Sequence, residues 1–336
     1  MILDITPPHL IDWDTPGVRK YSVPFTMDGT WGRVRMPLYV AVGPNPGKTV
    51  VAIGSTHGDE YEGPVAYKNL INEFDINRLV AGRLIIVPVF NVPAFQVAQR
   101  QSPLDGVNMN RAFPGDPQGT ISSRMAYFMT TQILDRADIV IDIHSAGAPM
   151  EVFRTMSFHQ VHDPELFQQF RETAMLFGTP FTMIYTSDMG TGLLTEEAEK
   201  MGKITIGSEL GYGASTDRDG VRWAYEGTLN VMRHHGLIDE PVEDLTLPAY
   251  GPQRLVSAVN IDNWITAPIS GITEPLRNVG EFVRKGEPVT RIHNFDRWDE
   301  PGETLCADQD GYVLARKFKA ATTQGEVVMV IAQEIP

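Results

Sequence analysis

The segment GSTHGDEYEG (54–63) sets His57 and Glu60 three residues apart. It follows a short apolar run and precedes a helical pattern, so both side chains leave one turn. A neutral imidazole and a carboxylate that converge on one point are suitable ligands for Zn2+. A second segment, DIHSAG (142–147), closes another apolar run with His144. Two His and one Glu form a three-ligand set that leaves a fourth position for water, as a hydrolytic metal site requires. Asp59 and Asp142 lie close by in sequence and are candidates to orient the imidazoles.

Two more segments carry usable chemistry. VNMNRAFPG (107–115) is polar and turn-rich. Its Arg111 offers a planar fork that matches a carboxylate, with the Asn110 amide beside it. GSELGYG (207–213) ends a fourth apolar run with Glu209. A carboxylate near an activated water can serve as general base and then as general acid. Read without the others, each segment also fits a solvated turn, a cap or an ion pair.

These residues need a scaffold that brings strand ends together. TVVAIGS (49–55), RLIIVPVFN (83–91), DIVIDIH (138–144) and KITIGSE (203–209) are short and rich in Val and Ile. Continuous apolar runs of this length predict strands buried on both faces of a mostly parallel sheet. Helical patterns lie between them, at about 62–74, 121–136, 164–177, 192–201 and 219–235. Alternating strands and helices predict an α/β fold whose sites lie at the carboxyl ends of the strands. Residues 18–43 alternate with period two and predict a short antiparallel entry.

The stretch DEPVEDLTLPAYGP (239–252) reads as a linker. Beyond it APISG (267–271) with GEPVTRI (286–292), and ADQDG (307–311) with GEVVMVI (325–331), form a weak internal repeat. The expected organisation is a catalytic domain over 1–240, with an N-terminal β extension over about 1–45, and an all-β domain over 253–336. The repeat resembles a biotinyl/lipoyl-type β domain. Those domains carry their cofactor on a hairpin-tip lysine, and the matching stretch HNFDRWDEPG has none. A structural or active-site-capping role is therefore expected rather than a carrier role.

The formal net charge of -14 disfavours nucleic acid and anionic membrane as partners. One cysteine, Cys306, excludes an intrachain disulfide and a thiolate cluster, so any metal must use His and carboxylate ligands. No basic and apolar leader is visible in MILDITPPHL, and no apolar run nears ~18 residues. The expectation is a cytoplasmic protein acting on a small molecule. Oligomeric state is left open, a homo-oligomer included.

The order H-x-x-E, N-R, H and E, each at a strand end, resembles the succinylglutamate desuccinylase/aspartoacylase family, related in fold to zinc carboxypeptidases. The resemblance covers about residues 45–235, and the appended β domain also fits. It implies one Zn2+ per chain on His57, Glu60 and His144. It also implies carboxylate recognition by Asn110 and Arg111, and Glu209 as general base. The family uses a further arginine on the scissile carbonyl, for which Arg100 is the nearest candidate. Some members use a tyrosine from the C-terminal domain, for which Tyr250 and Tyr312 are available. GSTHGDEYEGP, NMNRAFPG and APISG look most like the branch that deacetylates Nα-acetyl-L-2,4-diaminobutyrate in ectoine breakdown. A free γ-ammonium on that substrate would call for an acid, with Glu151, Asp188 and Glu196 as candidates.

The alternatives are distinct. An N-acylaspartate or succinylglutamate deacylase, or a metallocarboxypeptidase, would use the same scaffold. Two His and one carboxylate also suit an Fe(II) oxygenase, whose usual all-β jelly roll disagrees with the strand–helix alternation. The non-enzymatic reading is a small-molecule binding or carrier protein built on the C-terminal strands.

Overall fold

The computed structural model describes residues 6–27, 32–186 and 191–335. The chain opens with a hairpin of β1 (Gly17–Thr26) and β2 (Arg33–Val42), paired antiparallel from Gly17↔Val42 to Thr26↔Arg33. Next come β3 (Asn45–Gly54), α1 (Glu62–Glu73), β4 (Ala81–Val87), α2 (Val92–Gln96) and α3 (Ile121–Phe128). The helix continues through a π turn at 129–133 and a 3-10 turn at 134–136. After these lie β5 (Ile139–Ile143), β6 (Met150–Val152), β7 (Thr155–His159), α4 (Pro164–Met175) and β8 (Phe181–Tyr185). The α/β part ends with α5 (Leu194–Lys200), β9 (Ile204–Glu209) and α6 (Arg218–His234).

The rest of the described chain is β-rich. Its strands are β10 (Arg254–Ser257), β11 (Trp264–Thr266), β12 (Gly271–Pro275), β13 (Phe282–Val283) and β14 (Pro288–His293). They continue as β15 (Glu303–Cys306), β16 (Gly311–Lys317), β17 (Ala321–Thr322) and β18 (Val327–Glu334). The large sheet runs β1-β2-β4-β3-β5-β9-β7-β8-β10-β18-β16-β13, and a smaller one runs β15-β14-β12-β17.

Strands β4, β3, β5 and β9 are parallel neighbours. Their side chains alternate between two cores. Val50, Ala52, Ile139 and Ile141 join the core that holds Trp223 of α6 and Phe170 of α4, whereas Val51, Ile53 and Val140 join the one that holds Met125 and Phe128 of α3. Both faces are dry, which is why these strands read as unbroken apolar runs.

The large sheet is mixed, not mostly parallel as the sequence pattern predicts. Strand β7 pairs antiparallel with β9, and β10, β18 and β16 are successive antiparallel partners. Between β5 and β7 the chain makes only the short β6 excursion, with no crossover helix. A parallel return needs such a crossover, so the chain comes back in the opposite sense. Strand β10 then pairs parallel with β8, and β6 pairs with β16. Strand pairing therefore runs unbroken from the α/β part into the C-terminal strands.

Candidate metal centre and active-site cleft

Strands β3, β5 and β9 are adjacent and parallel, so their carboxyl ends share one edge of the sheet. His57 and Glu60 lie in the loop between β3 and α1, His144 follows β5, and Glu209 is the last residue of β9. The β3–α1 loop is buried and tightly held. Ser55 adopts φ 54° and its hydroxyl donates to the His57 carbonyl at 3.1 Å. At Gly58 an added Cβ would sit 2.1 Å from the Ala94 carbonyl carbon, so the loop can approach α2 only as glycine.

His57, Glu60 and His144 are 2%, 2% and 8% exposed, and their donor atoms lie within 4.8 Å of one another. Glu60 Oε1 is 2.8 Å from His57 Nδ1, and Glu60 Oε2 is 2.8 Å from His144 Nδ1. The two Nδ1 atoms face each other at 3.2 Å. The outward nitrogens have acceptors of their own. His144 Nε2 is 2.8 Å from Asp142 Oδ2, and His57 Nε2 is 3.1 Å from Asn108 Oδ1. With protons held on those two Nε2 atoms, both Nδ1 lone pairs would face inward, beside a carboxylate. Three convergent lone-pair donors repel one another unless a cation lies between them, and two imidazoles with one carboxylate match a divalent transition metal.

The charges around this group are strongly biased. Burial would raise Glu60, but His57 and His144 outweigh it and hold the carboxyl well below its usual range. Burial pushes His57 down, partly offset by Glu60. For His144 burial is outweighed by Asp142 and Glu60, which raise it well above the usual imidazole value. Asp142 also accepts from the Thr56 hydroxyl at 2.8 Å. Asp59 does not reach a ring. It accepts from Ala148 N at 3.0 Å, against Gly147.

Glu209 stands at the wall of the same cleft, of about 210 Å3, which His57, His144, Arg100, Asn110 and Arg111 also line. Its Oε2 is buried without a hydrogen-bond partner. Burial, and then the nearby Glu60, push its carboxyl up to about 8. Arg100 is 42% exposed at its side chain and donates to Glu60 Oε1 at 3.0 Å. Asn110 and Arg111 sit on the loop between α2 and α3. Asn108 Oδ1 accepts from Asn110 N at 3.0 Å, Asn110 Oδ1 accepts from Leu194 N at 2.8 Å, and Gly192 packs on the Arg111 backbone. Among the described residues Arg111 itself donates only to the neighbouring Asn110 carbonyl, at 2.5 Å, and stays exposed toward the cleft.

Several contributors were not picked out from sequence. Asn108 supports His57, and Met183, Tyr185, Thr195 and Trp264 line the cleft. Asn108 was legible in the same NMNR segment, but the others come from β8, α5 and β11, which carry no chemical motif. Glu62 is buried and ties the site together. It accepts from the Ser145 hydroxyl and from Asp217 N, and so joins the loops after β5 and β9. Tyr250 contacts Asp219 and Trp223, and Tyr312 contacts Phe181 and Phe282; neither lines the cleft. Glu151 is bound by Arg316, and Glu196 by Lys200 and Gly192 N, so neither is turned to the cleft. Asp188 lies outside the described residues.

Residues 46–235 match the succinylglutamate desuccinylase/aspartoacylase catalytic domain. The chain belongs to that family. It is 30% identical over 328 residues to the N-alpha-acetyl-L-2,4-diaminobutyric acid deacetylase of Halomonas elongata, covering 97% of this chain and 94% of that one. A crystal structure of a succinylglutamate desuccinylase/aspartoacylase from Rhodobacter sphaeroides superposes with a TM-score of 0.91 at 32% identity, over 97% of this chain and 98% of the other. The product-bound ectoine utilization protein of Ruegeria pomeroyi superposes with a TM-score of 0.87 at 31% identity, over 96% and 98%. In this chain His57, His144, Asn110, Arg111 and Glu209 line one cleft at the sheet edge, and Glu60 groups with the two histidines beside it. Among the described residues no helix is long and apolar enough to cross a membrane.

Proposed function

We propose that this protein is a zinc-dependent amidohydrolase that removes the acyl group from a small N-acyl amino acid, with Nα-acetyl-L-2,4-diaminobutyrate as the substrate to test first. The observation that carries the reading is the convergence of His57 Nδ1, His144 Nδ1 and Glu60 in the cleft where Glu209 Oε2 is buried without a partner among the described residues. A zinc ion held by His57, Glu60 and His144 would supply Lewis acidity for water and for the acyl carbonyl.

The chain's own groups account for the rest of the reaction. Glu209 accepts the proton of the attacking water at Oε2 and returns it to the departing amine nitrogen, so no net proton is consumed. Its raised affinity for protons suits both halves of that shuttle. Arg111 and Asn110 hold the α-carboxylate, which orients the amide over Glu209. Arg100, bonded to Glu60 and lining the cleft, donates in this reading to the carbonyl oxygen as negative charge builds there. We assign residues 1–240 the catalytic role and 253–336 the capping role, in which Trp264 reaches the cleft.

The choice of amino acid follows the Halomonas deacetylase, and the ectoine connection also follows the Ruegeria ectoine utilization protein. The decisive assay offers metal-loaded protein Nα-acetyl-L-2,4-diaminobutyrate, N-acetylaspartate and N-succinylglutamate and follows amine release. Preference for the first supports the reading. Preference for either of the others keeps the zinc amidase and discards the diaminobutyrate assignment, and no hydrolysis with metal bound discards the substrate class.

A further inference from the structure

A second cavity, of about 360 Å3, adjoins the catalytic cleft. The two share Arg100, Met183, Glu209 and Trp264 as a common wall. Beyond that wall the second cavity is lined by Met150, Val152, Leu314, Ala315 and Val330, and its exposed lining is mostly apolar. It exists because the C-terminal strands join the large sheet. Val152 of β6 pairs with Ala315 of β16, whose neighbour on β18 is Val330. Trp264 is held at the partition by donating its ring N–H to the Ala258 carbonyl at 3.1 Å.

We propose that this cavity is the acyl-chain chamber of the active site, and that the protein removes straight acyl groups several carbons longer than acetyl. The inference rests on the amidohydrolase reading and adds to it the class of acyl group. The partition of charge carries the argument. The groups fit to hold a carboxylate, Asn110 and Arg111, line only the first cleft. The chamber's charged members are Arg100 and Glu209, both at the shared wall. An amino-acid end with its ionised groups belongs in the polar cleft, since burial of an unpaired charge among Leu314, Val152 and Val330 is strongly unfavourable. The uncharged acyl end then points through the wall, with its carbonyl between Arg100 and Glu209. An acetyl methyl leaves most of the chamber unfilled, and each further methylene it covers adds up to about fourfold in kcat/KM.

The test compares kcat/KM for Nα-acetyl-, Nα-butyryl- and Nα-hexanoyl-L-2,4-diaminobutyrate in the metal-loaded protein, in wild type and in Ala315→Leu. The expected result is a rise of about tenfold or more from acetyl to hexanoyl, with the hexanoyl-to-acetyl ratio about tenfold lower in Ala315→Leu. Because the readout is a ratio within one protein, a general loss of folding does not mimic it. Calorimetry on Glu209→Gln, which separates binding from turnover, should show the hexanoyl compound binding more tightly than the acetyl one. Hydrolysis of the acetyl substrate with rates that fall along the series, and a ratio indifferent to Ala315→Leu, overturns the chamber and leaves the amidohydrolase intact. No cleavage of any of the three compounds, with metal bound, removes the amidohydrolase reading and this inference with it.

Discussion

Among the described residues Glu209 has a buried Oε2 with no hydrogen-bond partner and lines the cleft itself, and that placement gives it a distinct experimental signature. Glu209→Gln keeps the shape and removes the proton acceptor, so kcat should fall by about 10^2 to 10^4 while the protein still binds one metal per chain by elemental analysis. Retention of kcat would discard the base assignment. Asp142 acts through His144, to which it is bonded at 2.8 Å. Asp142→Asn should weaken metal affinity by roughly 10- to 100-fold, read by competition with a chelator. Away from the site, His235 has a buried, unpartnered Nε2, and burial, then His234, push it down to about 4. Its folded-state value lies below the unfolded one, so between about pH 6.5 and 4 the unfolded chain binds more protons. Stability from this residue is present above that window and is lost as pH falls through it. His235→Gln should therefore lose less of its urea midpoint between pH 7 and 5 than the wild type does.

At the scale of elements, the site depends on loops that only particular backbones can form. Gly58 lies against α2 with no room for a side chain. Gly58→Ala must push α2 or the 55–61 loop aside, which moves His57 and Glu60 together. We expect a cost of about 2 kcal/mol or more in unfolding free energy and loss of stoichiometric metal; an Ala variant with native metal content would refute this. The strands that carry the site were readable because both of their faces are dry, as in VVAI and IVIDI. Strands β7 and β8 were not read. TMSFH and FTMIY mix polar and apolar residues that are buried by long-range neighbours, and their direction depends on what pairs beside them. The mixed sheet is the consequence.

Over the whole molecule, the C-terminal strands are bonded into the same sheet as the site. Strand β10 continues the pairing of β8, and one core joins Phe181 and Met183 to Val256, Leu314 and Val330. A chain ended at residue 252 would leave the β8 edge and that core open. It should aggregate or fail to accumulate as a monodisperse species, measured by size-exclusion chromatography. Recovery of a well-folded, metal-binding truncation would show that the α/β part stands alone.

The sequence by itself determined the chemistry on offer: His57, Glu60, His144, the Asn110–Arg111 pair and Glu209, set at the ends of apolar runs. Those signals are local, since ligand type, strand periodicity and turn residues are written within a few positions of each other. Only the tertiary structure decided that β3, β5 and β9 are neighbours, that Asn108 and Asp142 take the outward nitrogens of the two rings, and that Trp264 walls the cleft. Each depends on pairing between segments tens to hundreds of residues apart, where the free energy lies in packed surfaces and in hydrogen bonds across the sheet. No short window of sequence contains both partners of such a contact.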